Sequence, residues 1–261
     1  MEHTTQRGGR PPSGEPVLDR AFRLLDAFSD ERPILTVTEL SEATGIPLSS
    51  AFRLAQHLAR RGALERQPSG GYMIGLRMLE YAALAPRGHG LRAIALPYME
   101  ELHRATRQHV QLAVREKDEA VIIERLSAKD AGAVLYYPGG RAPLHGTGVG
   151  LVLLAHSRPE FLAAYLQQEL FLEPEHVPLP ASELSETLGA VRRTGLASMS
   201  RTLPSAATSI AAPIFDRTGA CVAAMSVLGA DGSVDATRLE PALLALTRVI
   251  SRDLKRVATT S

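Results

Sequence analysis

Residues 45–75, GIPLSSAFRLAQHLARRGALERQPSGGYMIG, decide the fold of the first third of the chain. Gly45-Ile46-Pro47 is a tight turn, and Gly45 lacks the side chain that would resist a left-handed helix terminus. A helix then starts near Leu48 or Ser49 and runs to Arg61, where Gly62 stops it. Ala51, Leu54, Ala55 and Leu58 recur at helical spacing and form its inward stripe. Ser49, Ser50, Arg53, Gln56, His57 and Arg60 are left towards the opposite side. Ala63–Arg66 and Gly71–Ile74 are short extended runs, joined by the turn-rich Gln67-Pro68-Ser69-Gly70, and so form a hairpin.

Working outward, TVTELSEAT precedes the turn as a helix of about two turns. Either Thr36 or Thr38 is its N-cap. Further upstream, Leu18, Ala21, Phe22, Leu25 and Phe28 give an amphipathic helix over Val17–Phe28, broken by the Pro33-containing stretch that follows. A short helix, a tight turn, a second helix with a polar outer face and a hairpin together make a winged helix-turn-helix. Such a unit lays its second helix in the major groove of DNA. The overall charge of +1 says nothing of nucleic acid until it is divided along the chain. Residues 48–77 hold Arg53, Arg60, Arg61, Arg66 and Arg77 against the single acid Glu65, the local surplus that a phosphate-facing segment needs.

The 261 residues, 45% hydrophobic, suffice for two modest cores. The opening residues 1–16 are polar and rich in Pro and Gly, and are expected to be a disordered tail. Nothing in them resembles a signal peptide and no run is apolar enough to span a membrane, so a cytoplasmic protein is expected. Cys221, the one cysteine, cannot form an internal disulfide and reads as an inert buried thiol. Leu76–Ala85 is a helix, and Pro86-Arg87-Gly88-His89-Gly90 makes the best domain boundary. The expected organisation is therefore a DNA-binding domain over 17–75, a linker helix and hinge over 76–90, and an effector-binding domain over 91–258.

The second half has a different rhythm. A helix over Leu91–Thr106 is followed by strands at His109–Arg115 and Ala120–Leu126, the first alternating Val110, Leu112 and Val114 on one face as a half-buried strand does. A strand is expected at Ala133–Tyr137 and helices at Gly148–Ala155, Pro159–Leu170 and Ala181–Arg193. Further strands lie near Leu196–Ser200, Ser209–Phe215 and Ala220–Leu228, the last two joined at Asp216-Arg217-Thr218-Gly219, before a closing helix from about Thr237 to Val257. Hairpins mixed with helices in this order give an α+β domain around a largely antiparallel sheet.

These pieces, in this order, resemble the IclR family of transcription regulators from about Val17 to Val257. The resemblance rests on LTVTELSEATGIPLSSAFRL (residues 35–54), L-x-x-x-G-x-L-E-R (58–66), YMIG (72–75), RAPLHGTGVG (141–150), the glycine of VRRTGLA (191–197) and SIAAPIFD-x-x-GACVAAMSV (209–227). It implies a winged helix-turn-helix, a linker helix that helps dimerisation, and a ligand-sensing domain with a GAF-like or profilin-like sheet. It implies DNA contacts from Ser49, Ser50 and Arg53, with Thr38 at the start of the preceding helix, and His57 and Arg60 extend that face. Short hydroxyls and helix N-terminal amides suit phosphates, while an arginine can read guanine with two hydrogen bonds. Arg53 has an alternative role, an internal ion pair with Glu39. Leu48 departs from the family, which often carries a polar or basic residue there.

For the sensing domain, the resemblance places the effector between the loop His145-Gly146-Thr147-Gly148 and facing strands, at Thr147, Gly148, Met199 or Ser200, Ser209, Ser226 and Leu228. A loop feeding a helix N-terminus offers unpaired N–H groups to a carboxylate. Each serine has the alternative of satisfying its hydroxyl on its own backbone. Members that sense small polar acids tend to carry an acidic residue near position 199 and an acid pair beyond it. Here Met199, Arg201, Thr202, Ala206 and Leu228 make the pocket more apolar, so a larger aromatic or branched carboxylate is expected, with constitutive activity as the alternative. A repressor is expected on family habit. One recognition helix reads only a few base pairs, so a dimer or a dimer of dimers is expected on double-stranded operator DNA.

The rival classes are a winged-helix regulator of another family and an enzyme built on a GAF-like domain. The sequence has no G-x-S-x-G elbow, phosphate loop or H-E-x-x-H helix. The eight histidines show no i,i+4 pair, so neither metal nor cofactor is expected. A His145–Ser209 dyad is the one enzyme-like pairing imaginable.

Overall fold

The computed structural model describes residues 15–29, 31–85, 90–128, 131, 136–172, 176–201 and 207–257. Most of the expected disordered tail (1–14), the core of the expected hinge (86–89), most of the strand expected at 133–137, and positions 202 and 206 lie outside them. The chain separates into two compact units, Met1–Ala85 and Pro86–Ser261.

The first unit is built from α1 (Val17–Leu25), α2 (Val37–Thr44), α3 (Leu48–Arg60), the strands β1 (Leu64–Arg66) and β2 (Tyr72–Ile74), and α4 (Leu76–Ala83). Thr36, not Thr38, caps α2: its hydroxyl accepts from the Glu39 N–H (3.3 Å), and the Glu39 carboxylate accepts from the Thr36 N–H (2.7 Å). This reciprocal box satisfies two N–H groups that a helix start leaves over. Gly45 ends α2 at φ +67°, in the left-handed region. The turn is braced by the Ser41 hydroxyl on the Ile46 carbonyl (2.7 Å) and by Thr44, which donates to the Leu40 carbonyl (2.6 Å). Leu24, Leu40, Ile46, Ala51, Ala55, Leu64 and Tyr72 form the core. Leu35 bonds Tyr72 through both backbone groups, an isolated bridge onto the two-stranded wing that the Pro33-broken sequence did not suggest. Leu18 and Phe22 of the α1 apolar stripe stay exposed, because Leu24 is the residue of α1 that enters the core.

The second unit is a six-stranded antiparallel sheet between helices. Its elements are α5 (Leu91–Thr106), β3 (His109–Glu116), β4 (Glu119–Leu126), β5 (Arg141–Pro143), α6 (Gly148–Ala155), α7 (Pro159–Tyr165), β6 (Phe171–Leu172), β7 (Val177–Pro178), α8 (Ala181–Thr194), β8 (Ala197–Arg201), β9 (Ala207–Phe215), β10 (Cys221–Ala230) and α9 (Ala236–Val257). The strand order is β5-β4-β3-β10-β9-β8, with β6 and β7 as a separate hairpin. One face packs on α5 and α9 through Leu112, Ile210, Ile214, Met225 and Val227. The other carries Ala113, Ala197, Ala211 and Ala224, whose small side chains admit α6, and α8 packs outside that helix.

All eight residues of α6 are buried, as expected of a helix apolar on every side. Its Gly150 is required by space, because a Cβ there would stand 2.4 Å from the Leu144 carbonyl oxygen and 2.6 Å from Thr147 Oγ1. Beyond the start of β8, the edge of β9 is closed by Pro213, which has no N–H, and by Ser251, whose hydroxyl accepts from the Phe215 N–H (2.9 Å). Both devices blunt a strand edge that would otherwise recruit another chain.

Two expectations are corrected and one strand is added. The strand at His109 is not half-buried: residues 109–114 are buried on both faces, because β3 lies between β4 and β10 under helices on either side. The helix expected to reach Leu170 ends at Tyr165. The strand at Arg141–Pro143, too short to stand out, pairs with Glu119–Val121.

Gly150→Ala is expected to destabilise the protein by about 2 to 3 kcal/mol through overpacking. Gly189→Ala, inside α8 with only Arg193 Nη1 nearby at 3.5 Å, is expected to stabilise by up to about 1 kcal/mol. Urea unfolding of the two variants checks the opposite signs.

Candidate functional site

On α3, Ala51 and Ala55 are buried and Leu54 and Leu58 partly so, leaving Ser49, Arg53, His57 and Arg60 exposed and Ser50 half-exposed. No side chain caps the α3 N-terminus, and Pro47 precedes it, so the first amides have no intrahelical acceptor. The hydroxyls of Ser49 and Ser50 form no bond with a described residue. Arg53 does not pair with Glu39: that carboxylate is held by Thr36, which also lowers its pKa from the usual glutamate value through backbone and side-chain hydrogen bonds. Arg60 rests a guanidinium nitrogen on the His57 ring (2.8 Å to Nδ1), so the two side chains travel together on the outer face. Thr38 is exposed within the first turn of α2. The hairpin β1–β2 stands beside α3 with Leu64 facing Ile74 and Arg66 facing Tyr72.

In the second unit, strand register decides which residues meet. Met199, Ser209, Leu228 and His109 are successive cross-strand partners in one row of the sheet. Ala197, Ala211, Ser226, Gln111 and Arg125 form the parallel row two residues along. Both rows lie on the α6 face: a Cβ on Gly148 would stand 2.8 Å from Ser209 Oγ and 3.5 Å from the Ala211 Cβ. The loop before α6 and the serine rows are thus in contact. Ser200 is not with them, because the pleat turns it to the opposite face, where its hydroxyl lies 3.2 Å from that of Thr208, which donates to Asp231 (2.7 Å). Between the alternatives Met199 and Ser200, the geometry puts Met199 on the shared face.

The Thr147 hydroxyl is already engaged, accepting from the Gly150 N–H (3.1 Å) and donating to the Pro143 carbonyl (3.0 Å). It therefore shapes the loop. The amides of Gly148 and Val149 open the helix with no intrahelical acceptor. Ser209 and Ser226 form no hydrogen bond with a described residue, although Ser226 is 2% exposed.

The sequence reading missed the polar end of this face. Gln111 Nε2 (3.2 Å) and Arg125 Nη1 (2.8 Å) converge on the Tyr136 carbonyl, and Arg125 Nε is buried without a partner among the described residues. Beside Leu228, buried His109 accepts from the Ala128 N–H (3.2 Å). The signal was the polar alternation itself, His109 and Gln111 between Val110 and Leu112, which reads as a solvent face unless a helix covers it.

The imagined dyad does not form. The His145 ring lies 2.8 Å from the Tyr165 hydroxyl and 2.9 Å from the Phe171 carbonyl, and burial pushes the Tyr165 pKa up to about 12. Cys221 is a thiol, its pKa pushed up to about 12 by burial.

A winged helix-turn-helix with a cationic outer face, followed by an α+β unit that encloses hydroxyls against a helix N-terminus, defines a DNA-binding transcription regulator with its own sensing domain. Residues 84–256 match the model for the bacterial transcriptional regulator IclR C-terminal domain, and residues 17–68 match the IclR helix-turn-helix domain. The HTH-type transcriptional regulator KipR of Bacillus subtilis is 30% identical over 221 residues, covering 84% of this chain and 88% of that protein. The HTH-type transcriptional repressor AllR of Escherichia coli is 28% identical, covering 86% of each. The crystal structure of an IclR homologue from Microbacterium hydrocarbonoxydans, complexed with 4-hydroxybenzoate, superposes with a TM-score of 0.84 at 31% identity, covering 92% of this chain and 99% of that one. The chain belongs to the IclR family of transcription regulators and is not an enzyme.

Because the Thr147 hydroxyl makes two bonds and that of Ser226 none with a described residue, Thr147→Ala is expected to cost about 1 to 2 kcal/mol in urea unfolding. Ser226→Ala should stay within about 0.5 kcal/mol of the parent.

Proposed function

We propose that this regulator is a repressor that binds operator DNA through α3 and is modulated by an aromatic or branched carboxylic acid bound beside the contact of the α6 N-terminus with the sheet. The row Met199–Ser209–Leu228 carries this reading, because it sets a hydroxyl that bonds no described residue between two apolar side chains and next to Gly148 at the helix start. A carboxylate suits the amides, and the apolar flanks suit a ring more than a two- or three-carbon oxoacid. The relative crystallised with 4-hydroxybenzoate supports the acid, and the relative named a repressor supports the sign. Among the described residues no helix is long and apolar enough to cross a membrane, which is consistent with action in the cytoplasm.

Self-association accompanies the reading. Val17, Leu18 and Phe22 of α1 and Leu76, Leu79 and Leu84 in and beside α4 are exposed, with Leu18 at 71% and Leu79 at 65%. Exposed apolar side chains at this density are a burden unless a second copy covers them. Paired recognition helices also give the specificity that one helix lacks. Leu79→Glu is expected to shift the protein towards monomer in analytical ultracentrifugation, with thermal unfolding of the unit little changed.

Titration calorimetry with 4-hydroxybenzoate, pyruvate and glyoxylate tests the effector class. Binding of the aromatic acid with at least about tenfold preference, a difference of about 1.4 kcal/mol, is the expected result. Tight binding of the oxoacids alone overturns it. Arg53→Ala should abolish the specific gel shift of DNA from the region upstream of its own gene while leaving the acid titration unchanged.

A further inference from the structure

The outer face of α3 is not uniformly polar. Leu48, its first residue, is 53% exposed, and Phe52, one turn later, is 41% exposed. Residues four apart on a helix are neighbours, so the two side chains form one apolar strip beside the polar strip Ser49–Arg53. A single exposed leucine needs no explanation. Here two adjacent apolar side chains sit on the turn of the helix that first meets base edges, where the N-terminal residues of a recognition helix make their contacts. The core of this unit leaves both aside, since Ala51, Leu54, Ala55 and Leu58 supply the inward stripe.

The major groove offers one apolar group, the C5-methyl of thymine, and aliphatic or aromatic side chains are its partners. We infer that Leu48, flanked by Phe52, is a specificity-determining residue that reads a thymine methyl in each operator half-site, next to the base read by Arg53. This rests on the reading of α3 as the recognition helix. Such a contact is one that only thymine, or a 5-methylated cytosine, can satisfy, whereas phosphate contacts position a protein without reading sequence.

The test uses the full-length chain and a duplex selected by it from a random-sequence pool. Each thymine of the selected consensus is replaced in turn by deoxyuridine, which removes the methyl and leaves the hydrogen-bonding edge intact. Affinities are measured for the parent, Leu48→Ala and Arg53→Ala. One thymine per half-site is expected whose replacement weakens the parent about fourfold, the effect of one buried methyl, and leaves Leu48→Ala unaffected. Replacing the matching cytosine by 5-methylcytosine in a T-to-C site should restore binding of the parent only. If every deoxyuridine substitution affects parent and Leu48→Ala equally, or none affects either while Arg53→Ala still loses the consensus, the methyl reading is overturned and the recognition-helix reading stands. If no consensus emerges, or Arg53→Ala retains it, the recognition-helix reading falls and the methyl reading with it. Leu48 is exposed, so its truncation leaves the fold intact, which circular dichroism and unfolding of the variant verify.

Discussion

The sensing unit depends on how closely α6 can lie against the sheet. A helix buried on all sides has no polar face to give to water, so every residue must find a packed neighbour. Four alanines on the facing strands and Gly148 at the helix start make the space, Gly150 admits the preceding loop at Leu144, and Thr147 fixes the helix start with two hydrogen bonds. The same close approach brings the amide end of α6 onto Ser209. The proposed site for an acid and the core of the domain are therefore one piece of packing: substitutions that loosen the helix also disturb the face on which that site is proposed.

The DNA-binding unit follows a different logic. Its core is small, and its order comes from hydrogen-bonded corners: the Thr36–Glu39 box at the start of α2, the left-handed Gly45 at its end, and the Ser41 and Thr44 hydroxyls that hold the turn. These corners fix the direction in which α3 leaves the turn. Because Glu39 is consumed by the cap, Arg53 has no counterion among the described residues and its side chain is exposed. Apolar surface on α1 and α4 exceeds what this core can use, which is the physical reason to look for a second copy of the chain.

What the sequence made legible was local. Turn chemistry at residues 45–47, the inward stripe of α3 and the hairpin at 67–70 each rest on a few neighbouring residues, and all appear where the pattern put them. The long-range pairings were not legible. Leu35 bridges to the wing across some thirty-five residues, and Arg141–Pro143 finds β4 only after the chain returns. Period-two alternation in β3 signalled a strand but not its depth, since His109 and Gln111 look like solvent-facing residues until α6 is laid over them. The candidate effector residues were matched one by one to a family pattern, and strand register then separated Ser200 from Met199, Ser209, Ser226 and Leu228. The polar convergence on Tyr136 came from no motif at all.

A regulator of this build works only if the two units share a free energy, and such coupling is reciprocal. If the acid changes operator affinity by some factor, the operator must change acid affinity by the same factor. The direct measurement is calorimetric titration of the acid into the protein alone and into the protein saturated with its selected operator duplex. Acid affinities that differ between the two titrations, by the factor through which the acid changes operator binding, are the predicted result. Equal acid affinity in the two titrations means that the two sites do not communicate, and contradicts the account.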